Sequence, residues 1–170
     1  MEETYKINFA APDLVNVCID RWSENGCEGR LYCGYYPQAI IFHDEYGMIK
    51  IMEELMDSID YPQASTIMRN YNRKDVPNRY EKGRIFSGTE IVKEKGKIAT
   101  FVIYVQYRQN STWQGEVFWA EGNLVKRFQS VLELLKLTDR IIENSRNFRL
   151  DNRAADYIYR MQKEEGGVGA

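Results

Sequence analysis

The chain has 170 residues, 44% of them hydrophobic and 28% charged, and its net charge is −2. This composition is typical of a soluble globular protein with a substantial core. Because acidic and basic residues nearly balance, the chain as a whole is excluded as a polycation that binds DNA or anionic membranes. A nucleic-acid function would need a local basic patch.

The first predicted elements are a hairpin and a helix. The segments GRLYCGYY and QAIIF are rich in β-branched and aromatic residues and are separated at Pro37. The segment DEYGMIKIMEELMDSID then predicts a helix, with Asp44 as its N-cap and Pro62 soon after its end. Apolar residues recur at three- and four-residue steps on its predicted buried face: Met48, Ile49, Met52, Leu55, Met56 and Ile59.

The second half of the chain predicts the same order of elements. KIATFVIYVQYRQ is the strongest predicted strand, and TWQGEVFWAE, a hairpin turn at 121–123 and a third strand, LVKRF, follow it. Ser130 and Glu133 form an S-x-x-E capping box before a second amphipathic helix. Asp151 is the predicted cap of a C-terminal helix, and GGVGA is a predicted disordered tail. The second helix has the predicted buried residues Val131, Leu134, Leu135, Thr138, Ile141 and Ile142.

A shift of about 86 positions brings the two halves into phase without gaps. Gly29 then lies over Gly115, and the predicted N-cap Asp44 lies over Ser130. Turns, caps and apolar positions stay aligned throughout, which predicts a duplicated β-β-β-α unit.

The predicted fold class is α+β, with an antiparallel sheet built from two related β-β-β-α units about a pseudo-two-fold axis and a C-terminal helix. We expect a single domain over residues 1–165 and a disordered tail over 166–170. The predicted segments are unit one at about 14–59, a connector at 60–96, unit two at about 97–145 and the C-terminal helix at about 151–164.

The segment RQNSTWQGEVFW, residues 108–119, has two interpretations. In one, Gly115 permits a bulge or a close backbone approach at the start of a strand, and the aromatic residues belong to the core. In the other, Trp113 and Trp119 form an aromatic binding patch.

The same segment, followed by FQSVLELLKLTD, resembles the RQNxxWQGxxxW and FxSxLELxxLxD signature of a family of uncharacterised short proteins from gut bacteria. The resemblance covers roughly the last third of the ordered chain and part of the GRLY hairpin. It implies a shared fold type, and no activity, cofactor or catalytic residue comes with it.

Residues 69–84, RNYNRKDVPNRYEKGR, form a basic segment with interleaved tyrosines. Arginine beside aromatic rings suits single-stranded nucleic acid or an acidic protein surface, whereas a solvated connector is the simpler interpretation. Together with the two tryptophans, this segment gives the predicted contact surface: Arg69, Tyr71, Arg73, Lys74, Arg79, Tyr80, Arg84, Trp113 and Trp119.

The metal-binding and nucleotide-binding motifs in this sequence are incomplete. The cysteines at positions 18, 27 and 33 resemble the first part of a CCCH zinc finger, but Pro37 occupies the place of the histidine. Arg69, Arg73, Asn110 and Thr112 weakly resemble the RxxxR and [DN]xSxxG motifs of PilZ domains, although too few strands follow for a PilZ barrel. We therefore predict no metal and no cofactor.

Catalysis is not expected, because the chain has one histidine and none of the common nucleophile or nucleotide-binding motifs. The odd cysteine count, the lack of a long apolar run and the lack of signal-peptide features favour a cytoplasmic bacterial protein with reduced thiols. The leading prediction is a non-enzymatic protein-binding or regulatory module with an unknown protein partner, monomeric or homodimeric and without a membrane. The alternatives are a nucleic-acid-binding protein using residues 69–84, and a small-ligand or nucleotide sensor.

Overall fold

The structure is a computed structural model, and it describes residues 7–64 and 83–147. These residues form an α+β fold with a six-stranded antiparallel sheet, so the predicted fold class is confirmed at this level. The predicted helix at 151–164, the tail and most of the segment 69–84 lie outside the described residues. In chain order the elements are β1 (Val15–Ser23), β2 (Gly26–Cys33), β3 (Ile40–Phe42), α1 (Glu45–Ile59), α2 (Gly88–Ile91), β4 (Ala99–Tyr107), β5 (Gln114–Trp119), β6 (Leu124–Phe128) and α3 (131–147).

The strand order is β3-β2-β1-β4-β5-β6, with antiparallel pairing throughout. The central pair is β1 with β4, where Val17 lies opposite Phe101. From this pair each half of the chain continues outward through a hairpin, so that β3 and β6 are the two edges. Both central strands contain a bulge, at Asp20 in β1 and at Gln106 in β4.

Residues in the left-handed backbone conformation form tight turns between the strands. The backbone carbonyl of Gln109 accepts a hydrogen bond from the Thr112 N–H at 3.1 Å. Asn110 and Ser111, between these two residues, have φ angles of 54° and 58°. Two consecutive positive φ angles are the geometry of a type I′ turn, whose twist matches that of the flanking strands. The predicted β5–β6 turn is confirmed, with Asn123 at φ 48°, and LVKRF is β6 with the predicted bounds.

The helix caps follow the sequence. Asp44 Oδ1 accepts a hydrogen bond from the Gly47 N–H at 2.6 Å. Ser130 Oγ accepts from the Glu133 N–H at 3.1 Å, while the Glu133 carboxylate accepts from the N–H of Gln129, one residue before the cap. Both predicted N-caps are therefore confirmed, and the reciprocal half of the second box is displaced by one residue.

The apolar stripe of α1 is rotated relative to the prediction. The helix packs against β2 and β3 and buries Met48, Ile51, Met52, Leu55 and Met56. Ile49 and Ile59, which were predicted to be buried, are half-buried, and Ile51 takes their place. A periodicity identifies an apolar face, but the neighbouring strands decide which edge of that face is covered.

The chain divides into two compact units, Met1–Leu135 and Lys136–Ala170, and the sheet belongs wholly to the first. The boundary falls within α3. Along this helix Leu134, Thr138 and Ile142 are buried, whereas Val131, Leu135 and Ile141 of the predicted stripe are half-buried. No helix among the described residues is long and apolar enough to cross a membrane.

A second apolar cluster, not predicted from the sequence, covers the middle of one sheet face. Ala11 and Leu14 precede β1 and pack with Ile91 of α2 on Val102 and Tyr104 of β4. The buried amide of Asn16 fixes α2 by donating to the carbonyls of Ile91 at 2.8 Å and Glu94 at 3.0 Å. The predicted connector is described at 60–64 and 83–96, and the second of these segments contains a short helix packed against the sheet.

Candidate functional site

Two residues of the RQNSTWQG segment, Arg108 and Trp113, are buried in the interior. Arg108 is 5% exposed; its Nε donates to the Pro62 carbonyl at 2.6 Å, and its Nη1 donates to Asp57 at 2.7 Å and Glu53 at 3.3 Å. The indole N–H of Trp113, also 5% exposed, donates to the other oxygen of Glu53 at 2.8 Å. Arg108 and Trp113 thus fasten the β4–β5 turn to α1, and Trp113 is a packing residue. The prediction that Trp113 belongs to a contact surface is therefore wrong.

The remaining predicted surface residues do not gather around Trp113. Trp119 is half-buried, with its ring against Gly122 and its buried Nε1 without a hydrogen-bond partner in the described chain. Arg84 lies beside Gly34, the residue that follows β2 in the chain. Its guanidinium donates hydrogen bonds to the carbonyls of Phe86 at 3.0 Å and Phe9 at 3.4 Å. The structure therefore separates the three described members of the predicted surface. The other six lie outside the described residues: Arg69, Tyr71, Arg73, Lys74, Arg79 and Tyr80.

A groove of mixed apolar and polar lining, which the sequence did not indicate, lies beside β3 and the start of α1. Its volume is about 620 Å³, and its walls include Tyr36, Ile41, Tyr46 and Ile51. Ile41 is 55% exposed and Tyr46 is 75% exposed, which is unusual for large apolar side chains placed together. We call this site the β3 groove. His43, Asp44, Lys50 and Glu54 supply a mixed polar rim.

The two edges of the sheet differ in character. β3 consists of Ile40, Ile41 and Phe42 and carries no charge, and the described residues pair with it on one side only, through β2. At the opposite edge, β6 carries exposed Lys126 and Arg127, which discourage pairing with a further strand. The β3 edge is therefore the one that is open to an added strand.

A polar row crosses the outer strands of the second half. Tyr104, Glu116 and Arg127 lie side by side on β4, β5 and β6. The Tyr104 hydroxyl donates to the buried Glu116 carboxylate, which also accepts from Arg127 Nε at 3.2 Å. Burial, together with this bond to Glu116, raises the pKa of Tyr104 to about 12. The hydroxyl stays protonated at neutral pH, so this row is a structural ion pair with a tyrosine donor.

The cysteines do not form a metal site in this structure. Cys18, Cys27 and Cys33 are all buried, and none of them forms a disulfide bond within the described chain. Because Val15 pairs with Cys33 while Cys18 is three positions further along β1, the side chains of Cys18 and Cys33 point to opposite faces of the sheet. Burial raises the pKa of Cys18 to about 11, which keeps it protonated and unreactive. Among the described residues no group of three side chains is arranged to hold a metal ion.

Sequence reasoning missed the β3 groove for an identifiable reason. Ile41 reads as one more apolar residue of a strand, and Tyr46 lies off the apolar stripe of α1. Their exposure becomes visible only when the strand order places β3 at an edge.

Comparison with known proteins adds no further assignment. No protein family, no curated protein and no solved structure matches this chain. The resemblance to short gut-bacterial proteins therefore stays a prediction, and the geometry of the described residues carries the functional argument.

Proposed function

We propose that the protein is a non-enzymatic protein-binding module that takes an extended apolar segment of a partner protein along the β3 edge. The observation that carries this proposal is the exposure of Ile41 and Tyr46 beside an uncharged edge strand. A segment added to β3 would gain backbone hydrogen bonds from the strand and bury its own apolar side chains in the groove.

The size and chemistry of the β3 groove support a peptide as the occupant. A volume of about 620 Å³ is within the range of small-ligand sites, but the groove is open along a strand instead of enclosed. Aromatic and aliphatic walls with a mixed polar rim are the usual anatomy of a protein-binding surface. Carboxylates and a lysine on the rim then bias which partner side chains flank the apolar ones.

Selection from a random peptide library displayed on phage tests the proposal. We expect enrichment of peptides with alternating apolar residues, and Ile41→Lys should weaken their binding by about tenfold or more because it places a charge in the groove. The matched control is Leu132→Lys, since Leu132 is 60% exposed on the first turn of α3, away from the groove. Failure to enrich any peptide, or equal binding by the Ile41→Lys variant, would overturn the proposal.

A second arm of the experiment addresses nucleic acid as the partner. The purified protein is examined for absorbance near 260 nm before and after nuclease treatment. A protein-binding module keeps its selected peptides after nuclease treatment and at high salt, whereas binding through phosphates weakens steeply with salt. Nucleic acid that copurifies with the protein and is released steeply as salt rises would favour the nucleic-acid alternative instead.

We also propose that the sheet consists of two related β-β-β-α units. Several correspondences at a shift of 86 positions support this. Val17 pairs with Leu31 in β1–β2, and Ile103 pairs with Val117 in β4–β5, with the members of each pair in equivalent positions. The two bulges, at Asp20 and Gln106, are separated by the same shift.

The outer pairs support the same relation. Gly29 pairs with Phe42, and Gly115 pairs with Phe128, again at a shift of 86 positions. In the centre, Asn16 pairs with Val102, and the same shift of 86 positions relates these two residues to each other. The proposed two-fold axis therefore passes through this pair. Agreement of strand register, bulges and helix starts is harder to obtain by chance than agreement of apolar patterns alone.

A further inference from the structure

A second, polar cleft lies at the other end of the sheet from the β3 groove. It has a volume of about 470 Å³ and opens beside the β4–β5 turn and the end of β6. This is within the range of roughly 300–1,000 Å³ that is usual for small-ligand sites. We call it the amide cleft, because five primary amides line it: Gln106, Gln109, Asn110, Gln114 and Gln129.

Most of these amides are not used by the fold. The side chains of Gln109, Asn110 and Gln129 are exposed and make no hydrogen bond to any residue in the described chain. Gln114 is held in place across the mouth of the turn, where its Nε2 donates to the Gln109 carbonyl at 3.3 Å. Each free amide keeps two donors and one acceptor for a ligand.

The bulge in β4 supplies the fifth amide. A bulge turns a side chain out of the regular alternation of its strand, and such bulges recur next to binding sites. At the corresponding bulge in β1, Asp20 is already engaged by Arg30 at 2.7 Å and by the Lys97 N–H at 3.1 Å. Gln106 lines the cleft, and its amide also donates a hydrogen bond to the Tyr104 hydroxyl oxygen. Each half of the sheet thus has a bulge at the equivalent position, and of the two bulge residues Gln106 is the exposed one.

The composition of the cleft selects the ligand class. Hydroxyl groups both donate and accept hydrogen bonds, as primary amides do, and Tyr107, 57% exposed, offers an aromatic face for the C–H face of a sugar ring. Arg127 also lines the cleft, and it is already paired with Glu116. One paired arginine is too little positive charge for a polyanion.

The cleft also lacks the groups needed for hydrolysis. Among the described residues that line it there is no carboxylate, whereas cleavage of a glycosidic bond ordinarily needs two. From the amides, the tyrosine and this missing acid pair, we propose that the amide cleft is a binding site for a neutral saccharide, distinct from the β3 groove and without catalysis on it.

A glycan array that carries neutral oligosaccharides, acidic oligosaccharides and single-stranded oligonucleotides is the first test. We expect the full-length protein to bind neutral oligosaccharides in preference to the other two classes. The best neutral oligosaccharide is then titrated into ¹⁵N-labelled protein, where the side-chain NH₂ signals of Gln109, Asn110 and Gln129 should shift. No binding to neutral oligosaccharides, or binding to oligonucleotides alone, would overturn the proposal.

The matched variants remove one amide each from equivalent backbone settings. Asn110→Gly keeps the left-handed turn, where φ is 54°, and should weaken saccharide binding by about tenfold, as expected for lost hydrogen bonds. Asn123→Gly removes an exposed amide at φ 48° outside the cleft and should leave binding unchanged. Equal affinities of the two variants would contradict the proposal. Ile41→Lys should retain saccharide binding, which separates this site from the β3 groove.

Discussion

Asp13 is a buried carboxyl with half of its hydrogen-bonding capacity unused. It is 2% exposed, and its Oδ2 accepts from the Val105 N–H at 2.8 Å, while Oδ1 has no partner in the described chain. Burial raises its pKa to about 7, against the opposing effects of the Val105 N–H, of its own backbone N–H and of Arg108. The folded protein therefore favours the protonated form of Asp13 up to neutral pH.

The stability of the protein should fall with rising pH, because the carboxyl of Asp13 ionises in the unfolded chain before it ionises in the folded protein. Because the folded pKa of Asp13 lies above its ordinary value of 3.8, its contribution is full below about pH 4 and is lost as the pH rises through 7. The loss is on the order of 4 kcal/mol. Asp13→Asn cannot titrate, so urea unfolding at pH 5 and pH 8 should show a smaller decrease for the variant. Parallel decreases in the two proteins would contradict this prediction.

Arg108 should be among the most important polar residues for stability. Its side chain is 4% exposed, but its partners Glu53 and Asp57 are 45% and 55% exposed and regain water when it is removed. We therefore expect Arg108→Met to lower the free energy of unfolding by about 2 kcal/mol, less than for a fully buried pair. Urea unfolding measures the loss.

A surface ion pair provides the control for Arg108. Arg21 and Glu28 are 3.3 Å apart with side chains 79% and 41% exposed, so Arg21→Met should have no measurable effect on unfolding. Similar losses in the two variants would mean that the burial of Arg108 does not determine its contribution.

At the scale of elements, each three-stranded half contains one glycine that a phenylalanine covers. A Cβ atom on Gly29 would lie 2.9 Å from Phe42 Cζ and 2.0 Å from the Cys18 carbonyl oxygen. A Cβ atom on Gly115 would lie 2.9 Å from Phe128 Cζ and 2.2 Å from the Tyr104 carbonyl oxygen. An aromatic ring packed over a strand glycine offsets the poor strand preference of that glycine. Gly115 therefore serves close packing, one of its two expected roles.

Alanine at either glycine should destabilise the sheet by about 2–4 kcal/mol, because the backbone carbonyl cannot move away without breaking strand pairing. The losses at Gly29 and Gly115 should be similar if the two units are related. Gly83→Ala is the control, since a Cβ atom there meets nothing within 4 Å. Thermal unfolding of the three variants gives the comparison. A harmless Gly115→Ala would contradict the close packing, and strongly unequal losses would weaken the proposed duplication.

At the scale of the whole molecule, the two edges of the described sheet bear on whether copies can associate by strand pairing. The charged β6 edge opposes pairing with a further strand, and β3 has only three residues. Three paired residues cannot by themselves provide the roughly 1,200 Å² that stable interfaces bury. Light scattering during size-exclusion chromatography should therefore give a mass near 20.0 kDa. If the measured mass is twice as large, and if the Ile41→Lys variant has the mass of a monomer, then a second copy of the chain occupies the β3 groove.

The local elements were readable from the sequence because their signals are local. Asp44 and Ser130 cap helices through atoms three residues away, and the turn at 121–123 followed by LVKRF marks a short edge hairpin. The α+β class and the antiparallel pairing follow from such hairpins and helices. The four-residue helix α2 also begins with an S-x-x-E sequence, in which the Glu90 carboxylate accepts from the Ser87 N–H at 2.7 Å, but no apolar periodicity follows it, because its apolar contact is a single residue, Ile91.

The exposure of individual side chains was decided only by the tertiary structure. Trp113 is buried because Glu53, 60 positions earlier, accepts its indole N–H, and no local pattern encodes such a contact. Ile41 is exposed because the strand order leaves β3 at an edge. The sequence by itself determined the two long helices with their caps, the strands of the hairpins and the β5–β6 turn, since those depend on neighbours in the chain. Which aromatic and apolar residues meet solvent depends on how distant elements pack, so only the folded sheet determined the β3 groove and the amide cleft.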